Sequence, residues 1–486
     1  MRGYRCLKCI YYTIHKPELE PKVTEAQQQI FDIGNAVGEK AREYYLGGTL
    51  VDCKPWEFVD SLRRTRELLQ SGVEHIYEAA FEYKGCYARA DILRYNKSTQ
   101  RWTLLEVKST TKIKPEHLDD IGLQAWIIAN SGLKLEKICL VHLNPECRYP
   151  DLKNLFIEVD VTDRLRENYS SISPRLNSIF TAIRKPEVPE IALGPQCTLH
   201  RRDCEFKTAC WQEHGIPDFS VFDLPKISDK AWELYQSAQV EIDQIDSDKL
   251  DDLQKRVVKA HLSQKRFVDK DGVYNAVKDW AFPLIFLDFE TINPAIPRYD
   301  GTSPYQQIPF QFSVHIWREP HAELEHLEFL HDTDSDPRPS LIPALIAACE
   351  GNGSVVAYYS KFERQCLEDL ADFATSENDR LKAIAARLVD PLPVIRDHVY
   401  DPAFQGSFSL KYVAPALLGD EFSYEGMAVS DGSAAQRAFA RLIQETDPST
   451  REQIRSDMLN YCTKDTLAMV ETVRWLLGVS NLINLE

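Results

Sequence analysis

Asp91, Glu106 and Lys108 in one half of the chain, and Asp288 with Glu290 in the other, are residues whose types and spacing could do chemistry. Residues i and i+2 of a strand point to one face, so Glu106 with Lys108, and Asp288 with Glu290, each converge on one place. Carboxylates are hard oxygen ligands, and a few of them together suit a divalent cation such as Mg2+ or Mn2+. A cation held that way offsets charge on a phosphate ester and lowers the pKa of a water, the two needs of its hydrolysis. A lysine beside the carboxylates completes the electrostatics.

Two such constellations suit a chain of 486 residues, which at roughly 150 residues per domain holds two or three domains. With 44% hydrophobic and 27% charged residues the composition is ordinary for a globular protein, without low complexity or internal repeats. The net charge of -17 excludes a uniformly basic coat, although cation-binding carboxylates contribute to it. Contact with nucleic acid must therefore be local. The segment with Lys255, Arg256, Lys259, Lys265 and Arg266 is the candidate for holding phosphates, a solvated helix face being the plain alternative.

Arg2, Arg5 and Lys8 interrupt the first residues too early for an export signal, and no stretch approaches the roughly 18 apolar residues of a membrane span. A soluble, cytoplasmic protein with no membrane partner is expected. In a reducing compartment, twelve cysteines point to metal ligation, catalysis or burial. Cys197, Cys204 and Cys210 are spaced C-x6-C-x5-C, and a fourth thiolate from the N-terminus, Cys6 or Cys9, could close one site. Zinc sites normally show two close cysteine pairs, so an iron-sulfur cluster fits better, with zinc as the alternative. Cys6 is taken as the fourth ligand, a choice that spacing alone leaves open. Cys53, Cys86, Cys139, Cys147, Cys349, Cys366 and Cys462 read as free cysteines of the interior.

The elements that must position the first constellation are legible. Thr24 and Gln27 form a capping box before a helix with Ile30, Ile33, Val37, Ala41 and Tyr44 at helical spacing, and Glu39 and Glu43 lie on it. IYEAAFEY and CYARADILRY, separated by Lys84 and Gly85, predict a hairpin, and WTLLEVKS a third strand, which places Asp91 and Glu106 on neighbouring strands. A helix through IGLQAWIIANSG and the strands ICLVHL and LFIEVDV follow.

This order, with these residues, resembles the PD-(D/E)XK nucleases over roughly residues 1–215, in particular RecB-like exonucleases with a cluster of four cysteines. The resemblance implies a restriction-endonuclease-like α/β core with a 4Fe-4S cluster. It implies Asp91 and Glu106 as metal ligands, Lys108 as the residue acting on the attacking water, and Gln124 as a supporting helix residue. Two positions depart from the pattern. Ile128 stands where the family's helix motif has tyrosine, and Glu39 stands where many relatives use histidine, so that Glu39 or Glu78 fills that place.

Residues 221–280 read as a charged helical connector between a first domain at 1–220 and a second at 281–486. In the second, FPLIFLDFET is an apolar strand interrupted only by Asp288 and Glu290, a costly place for acids without a partner. FQFSVHIW, LEHLEFLH, the helix of PSLIPALIAACE and the strand SVVAYY complete three strands, helix, strand, helix. This order resembles the RNase H-like fold, a mixed sheet flanked by helices, and DFE resembles the first motif of the DnaQ-like DEDD exonucleases. The resemblance extends to Glu363 in YYSKFERQCL, in place of an aspartate, and to Tyr461 and Asp465 in YCTKD, four residues apart on one helical face. It implies that Asp288, Glu290, Glu363 and Asp465 hold divalent ions and that Tyr461 orients the water in 3′-to-5′ removal of nucleotides. Asp397 and Ser409-Leu410-Lys411 also match this group, Asp397 reading as a loop acid or a reserve ligand.

The fusion of the two modules resembles, over nearly the whole chain, a bacterial family of RecB-like nucleases. The expectation is a nuclease dependent on Mg2+ or Mn2+ with two active sites, acting on DNA, on ends or single strands. Two other classes stay open: a nucleic-acid-binding scaffold with one or both sites inactive, and an exoribonuclease acting through the C-terminal site.

Overall fold

Lys84 and Gly85 both take left-handed backbone angles, φ 51° and 78°, the pair of positive values that a two-residue hairpin turn needs to match strand twist. In the computed structural model, which describes residues 1–167 and 169–483 without the side chains of residues 200 and 201, that turn organises the first sheet. The sheet runs β1 (Gly48–Leu50), β2 (His75–Tyr83), β3 (Cys86–Asn96), β4 (Arg101–Lys108), β5 (Leu135–Leu143) and β6 (Phe156–Asp160), hydrogen-bonded in that order. β1 with β2 and β4 with β5 pair in parallel, and the other pairs are antiparallel.

The parallel step from β4 to β5 is bridged by the helix Pro115–Asn130, whose Ile121, Ala125, Ile127 and Ile128 are buried against Leu104 and Leu140. Ile128, the departure from the tyrosine pattern, is a core residue. The capping box at Thr24 and Gln27 forms as expected and starts the helix Glu25–Tyr44. Only its C-terminal half is covered: Val37 and Ala41 pack with Tyr77, Ile92 and Leu105, while Ile30 is exposed.

The other strands are β7 (Phe267–Val268), β8 (Leu284–Ile292), β9 (Ile308–Trp317), β10 (Glu325–Leu330), β11 (Val355–Val356), β12 (Leu388–Val389) and β13 (Val399–Tyr400). β7 and β13 form a small antiparallel ribbon, and the main sheet is ordered β10-β9-β8-β11-β12. Its β10-β9-β8 half is antiparallel and its β8-β11-β12 half is parallel. β8 lies at the centre with cores on both faces. Phe286 shares one core with Met469 and Val473 of the helix Pro448–Val479, and Leu287 shares the other with Leu345 and Leu367. A strand covered on both sides must be apolar nearly throughout, which is why FPLIFLDFET reads as it does.

The protein is thus a mixed α/β chain with several sheets. It divides into two compact units, residues 1–213 with 293–306, and residues 214–292 with 307–486. This differs from a division at 220 and 280. The stretch 221–280 is no separate spacer, because Val221, Leu234, Val257 and Val273 share a core with Phe286 and Trp317. Residues 293–306, in turn, belong to the first unit, where Ala295 is buried beside Leu143 and Tyr305 Oη donates to the carbonyl of Ser109 at 2.5 Å. Among the described residues no helix is long and apolar enough to cross a membrane.

Candidate active sites

In the second unit, β8 presents Asp288 and Glu290 to one side, and the helix Pro448–Val479 carries Asp465 onto them. One carboxylate oxygen from each of the three lies within 4.8 Å of the others. Burial, and then the charge of Asp465, pushes the proton affinity of Asp288 well above the carboxylate range; burial and then Asp288 do the same to Glu290. Asp465 is raised by burial and drawn back by hydrogen bonds from Tyr424 and Tyr461. Tyr424 Oη donates to Asp465 Oδ1 at 2.5 Å. Three hard oxygens that repel one another in a sequestered place fit a divalent cation, which would replace repulsion by attraction.

Glu363, on the helix Lys361–Phe373, lies outside that triad, but burial and then Asp288 raise its proton affinity well above normal, and its Oε2 is buried without a hydrogen-bond partner. That unmet oxygen is what a ligand of a second ion would present. Asp397 lies in the last turn of the helix Pro391–His398, not in a loop, and is bound to Arg396 at 2.8 and 3.0 Å outside the triad. Tyr461 is buried. Lys411 Nζ sits 5.5 Å from the ring centres of both Tyr424 and Tyr461 and lowers the proton affinity of all three acids. Cys462, read as a free cysteine of the interior, is buried and points its Sγ to Asp288 Oδ2 at 3.6 Å. A cavity of about 490 Å3 opens beside Asp288, Asp465 and Lys411.

In the first unit, the register that pairs Ile92 with Leu105 sets Asp91 across from Glu106. Asp91 Oδ2 accepts from the Val107 amide at 2.7 Å. Lys108 Nζ lies 2.8 Å from Glu106 Oε1 and 2.6 Å from Asp120 Oδ2, the latter from the helix Pro115–Asn130. Burial, then Glu78, lifts Asp91 to about 6, and burial, then Asp91, lifts Glu106 to about 8. Burial pulls Lys108 down but Glu106 and Asp120 outweigh it, so the ammonium is firmly charged. Glu106 Oε2 and Gln124 Oε1 are buried without partners, and these unmet acceptors fit a cation beside Glu106.

Of Glu39 and Glu78, the structure brings in Glu78. Glu39 is exposed and pairs with Arg42 at 3.9 Å. Glu78 is held by Arg89 at 3.4 Å and Arg42 at 3.5 Å and acts on Asp91. It takes a left-handed backbone, φ 58°, in the middle of β2, a cost of about 1–3 kcal/mol that is typical of functional positions. Asp120 and Tyr424 escaped sequence reasoning. A signal for Asp120 existed, since it lies one turn before Gln124 on the same helix face.

The cysteine group assembles as well. Arg5 donates to the carbonyls of Gln196 at 2.7 Å and Cys197 at 3.0 Å, fastening the N-terminus to the cysteine loop. Sulfurs of Cys9 and Cys204 and an oxygen of Glu205 lie within 4.8 Å of one another. Cys6, Cys197 and Cys210 adjoin them as charge neighbours. The geometry therefore sets Cys9 beside Cys204, where the sequence reading took Cys6. A hydrogen bond from Cys9, then the Phe206 amide and the cation of Arg5, lower Cys204 to about 7 despite burial. A thiolate accessible near neutral pH among other thiols fits a soft metal or an iron-sulfur group.

The two arginines of the basic segment are spent within its own unit. Arg256 donates to the carbonyls of Asp397 and Arg396, and Arg266 to Asp401 and the carbonyl of Ala416, both at 2.7 Å. Lys255, Lys259 and Lys265 remain exposed.

Residues 285–409 match a family model described as a domain of unknown function, DUF2779. The match contains Asp288, Glu290 and Glu363 and ends before Lys411 and Asp465. The chain is 25% identical over 206 residues to an uncharacterized protein of Mycoplasma pneumoniae, covering 38% of this chain and 31% of that one. It is 25% identical over 227 residues to an uncharacterized protein of Ureaplasma parvum, covering 41% and 32%. The chain thus spans about a third of the length of these relatives. No solved structure matches.

Proposed function

We propose that the chain is a divalent-metal-dependent nuclease of the RecB-like and DnaQ-like kind, hydrolysing DNA at ends or in single strands through one site in each unit, in the cytoplasm. The observation that carries this reading is the convergence of Asp288, Glu290 and Asp465 oxygens within 4.8 Å on a buried strand and helix, beside a cavity with a lysine. The strand order β10-β9-β8-β11-β12 supports an RNase H-like second unit, and β2 to β5 with their crossover helix support a PD-(D/E)XK core in the first.

In the second unit Asp288, Glu290 and Asp465, with Glu363, would hold Mg2+ or Mn2+; in the first, Asp91 and Glu106 would. A bound ion supplies charge neutralisation at the phosphate and a more acidic water. The chain's own part is positional. Tyr424 and Tyr461 aim Asp465 and hold its proton affinity below what burial alone would impose, Lys411 adds positive charge over the triad, and Lys108, fixed between Glu106 and Asp120, offers a proton donor to a reacting oxygen. Cys197, Cys204 and Cys210 with an N-terminal cysteine would hold a 4Fe-4S group that ties the chain's start to its unit.

The test is hydrolysis of end-labelled single-stranded DNA, duplex DNA and RNA with Mn2+ by the wild type, Asp91→Ala and Asp288→Ala. Each variant is expected to lose a different part of the DNA products. Unaltered product patterns in both variants sink the reading, products from RNA alone make the protein a ribonuclease, and binding without cleavage makes it a scaffold.

A further inference from the structure

The cavity beside the triad has two kinds of wall. Asp288, Asp465 and Lys411 line one part, and Tyr359, Leu392 and Phe408 line another. At about 490 Å3 it lies in the range of small-molecule sites, roughly 300–1,000 Å3. Charged groups that suit a phosphate and its cation thus adjoin an aromatic and aliphatic wall.

Tyr359 stands out on that wall. It is 55% exposed, so its ring is not there to fill a core. Its backbone is left-handed, φ 67°, where a bulky residue is strained and glycine is not. The strain is held by one carboxylate. Asp390 accepts from the amides of Tyr359 at 3.0 Å, Ser360 at 2.9 Å and Leu392 at 2.9 Å, so a single side chain fixes both loops of the apolar wall. A second clasp, from Tyr358 Oη to the Phe408 carbonyl at 2.6 Å, fixes the rest. An exposed ring on a rigid backbone beside a phosphate-compatible pocket is the composition of a base-stacking platform.

We infer that this cavity takes one nucleotide, with its base against Tyr359 and its phosphate toward Lys411 and the triad, and that Asp390 is the residue positioning Tyr359. The inference rests on the nuclease reading of the triad and adds the part of the substrate that the second unit grips. Every base has an aromatic face, so a stacking wall of this kind favours nucleotides without selecting among bases.

The test is calorimetric titration of the full chain in Mg2+ with deoxyadenosine monophosphate and with deoxyribose 5-phosphate, which lacks the base. The wild type and Tyr359→Phe are expected to bind the nucleotide on the order of ten-fold more tightly than the sugar phosphate, the scale of one base stacked on one ring. Tyr359→Gly, which removes the ring and relieves the backbone, is expected to lose most of that difference with sugar-phosphate binding unchanged. Asp390→Ala is expected to weaken nucleotide binding while Tyr359 is intact. Nucleotide binding by Tyr359→Gly equal to the wild type overturns the assignment. A wild type that cuts DNA but does not discriminate the two ligands also overturns it and leaves the nuclease reading standing. Discrimination by a chain that cuts nothing supports the pocket and removes the activity.

Discussion

Lys108 and Asp120 meet at 2.6 Å, and the same ammonium lies 2.8 Å from Glu106. A strand residue is thereby locked by an acid from the helix Pro115–Asn130. Lysine is a flexible point charge, and a second carboxylate is what removes its freedom. The arrangement keeps the cation aimed at the oxygens of Glu106 instead of at solvent.

Asp120→Asn is expected to reduce the activity lost in Asp91→Ala by about 10- to 100-fold, the scale for residues that orient a site from one layer out. The activity lost in Asp288→Ala should be untouched. Assaying the variant with both product patterns resolved decides it, and an unchanged N-terminal pattern would reduce the Asp120 contact to a stabilising ion pair.

The metal-free protein should lose stability as pH rises. Asp91 and Glu106 have folded values of about 6 and about 8, against roughly 4 for free carboxyls. The folded state therefore binds more protons than the unfolded one, so unfolding free energy falls from about pH 4 and flattens above about pH 8. Asp288, Glu290 and Glu363 act in the same direction. Mn2+ competes with those protons, so the rise in Tm on adding it should be larger at pH 8.5 than at pH 5.5. Equal rises at both values in thermal melts would show that the acids are not where the ion binds.

How much of this was legible in the sequence follows from the range of the forces involved. The Lys84-Gly85 hairpin, the twice-covered β8 and the capping box at Thr24 are set by neighbours a few residues apart, and each is visible as a turn pair, an apolar run or a cap. Asp288, Glu290, Asp91 and Glu106 stand out because they interrupt such runs. Asp120 follows Glu116 and Asp119 on a helix, and only its place one turn before Gln124 separates it from solvated acids. Tyr424 reaches Asp465 from a loop 41 residues away, with no periodicity to mark it. Residues 293–306 carry Pro294 and Pro297 and fall inside the stretch 281–486 assigned to the second domain; the burial of Ala295 beside Leu143 is a long-range fact. Ile30 fits the helical stripe of Val37 and Ala41 but lies beyond the sheet that covers them.

The five clustered cysteines predict a ranking. Cys9 and Cys204 share one 4.8 Å group, and Cys6 lies outside it. Cys204→Ser and Cys9→Ser should both lose iron and the visible colour of the purified protein, along with soluble yield, since ligand binding contributes to folding. Cys6→Ser should retain more of each. Iron and sulfide analysis of the three variants checks this, and a colourless Cys6→Ser beside a coloured Cys9→Ser would restore Cys6 as the fourth ligand.

Tyr424→Phe isolates one hydrogen bond in the second unit. The phenol donates to Asp465 Oδ1 at 2.5 Å and, with Tyr461, holds the proton affinity of Asp465 below what burial alone would impose. Removing the hydroxyl leaves the ring, its packing and the position of Lys411 over it, and takes away only the donor. The carboxylate then binds its proton more tightly and a cation less tightly at a given pH. A hydrogen bond to a charged group contributes roughly 1.5–3 kcal/mol, so activity from the C-terminal site should fall by about ten-fold or more near neutral pH. The fall should shrink at higher pH as Asp465 ionises regardless, which moves the acid limb of the pH-rate profile upward. A uniform loss at every pH would mean that the hydroxyl aims Asp465 without tuning its proton affinity, and that the tuning belongs to Tyr461 alone.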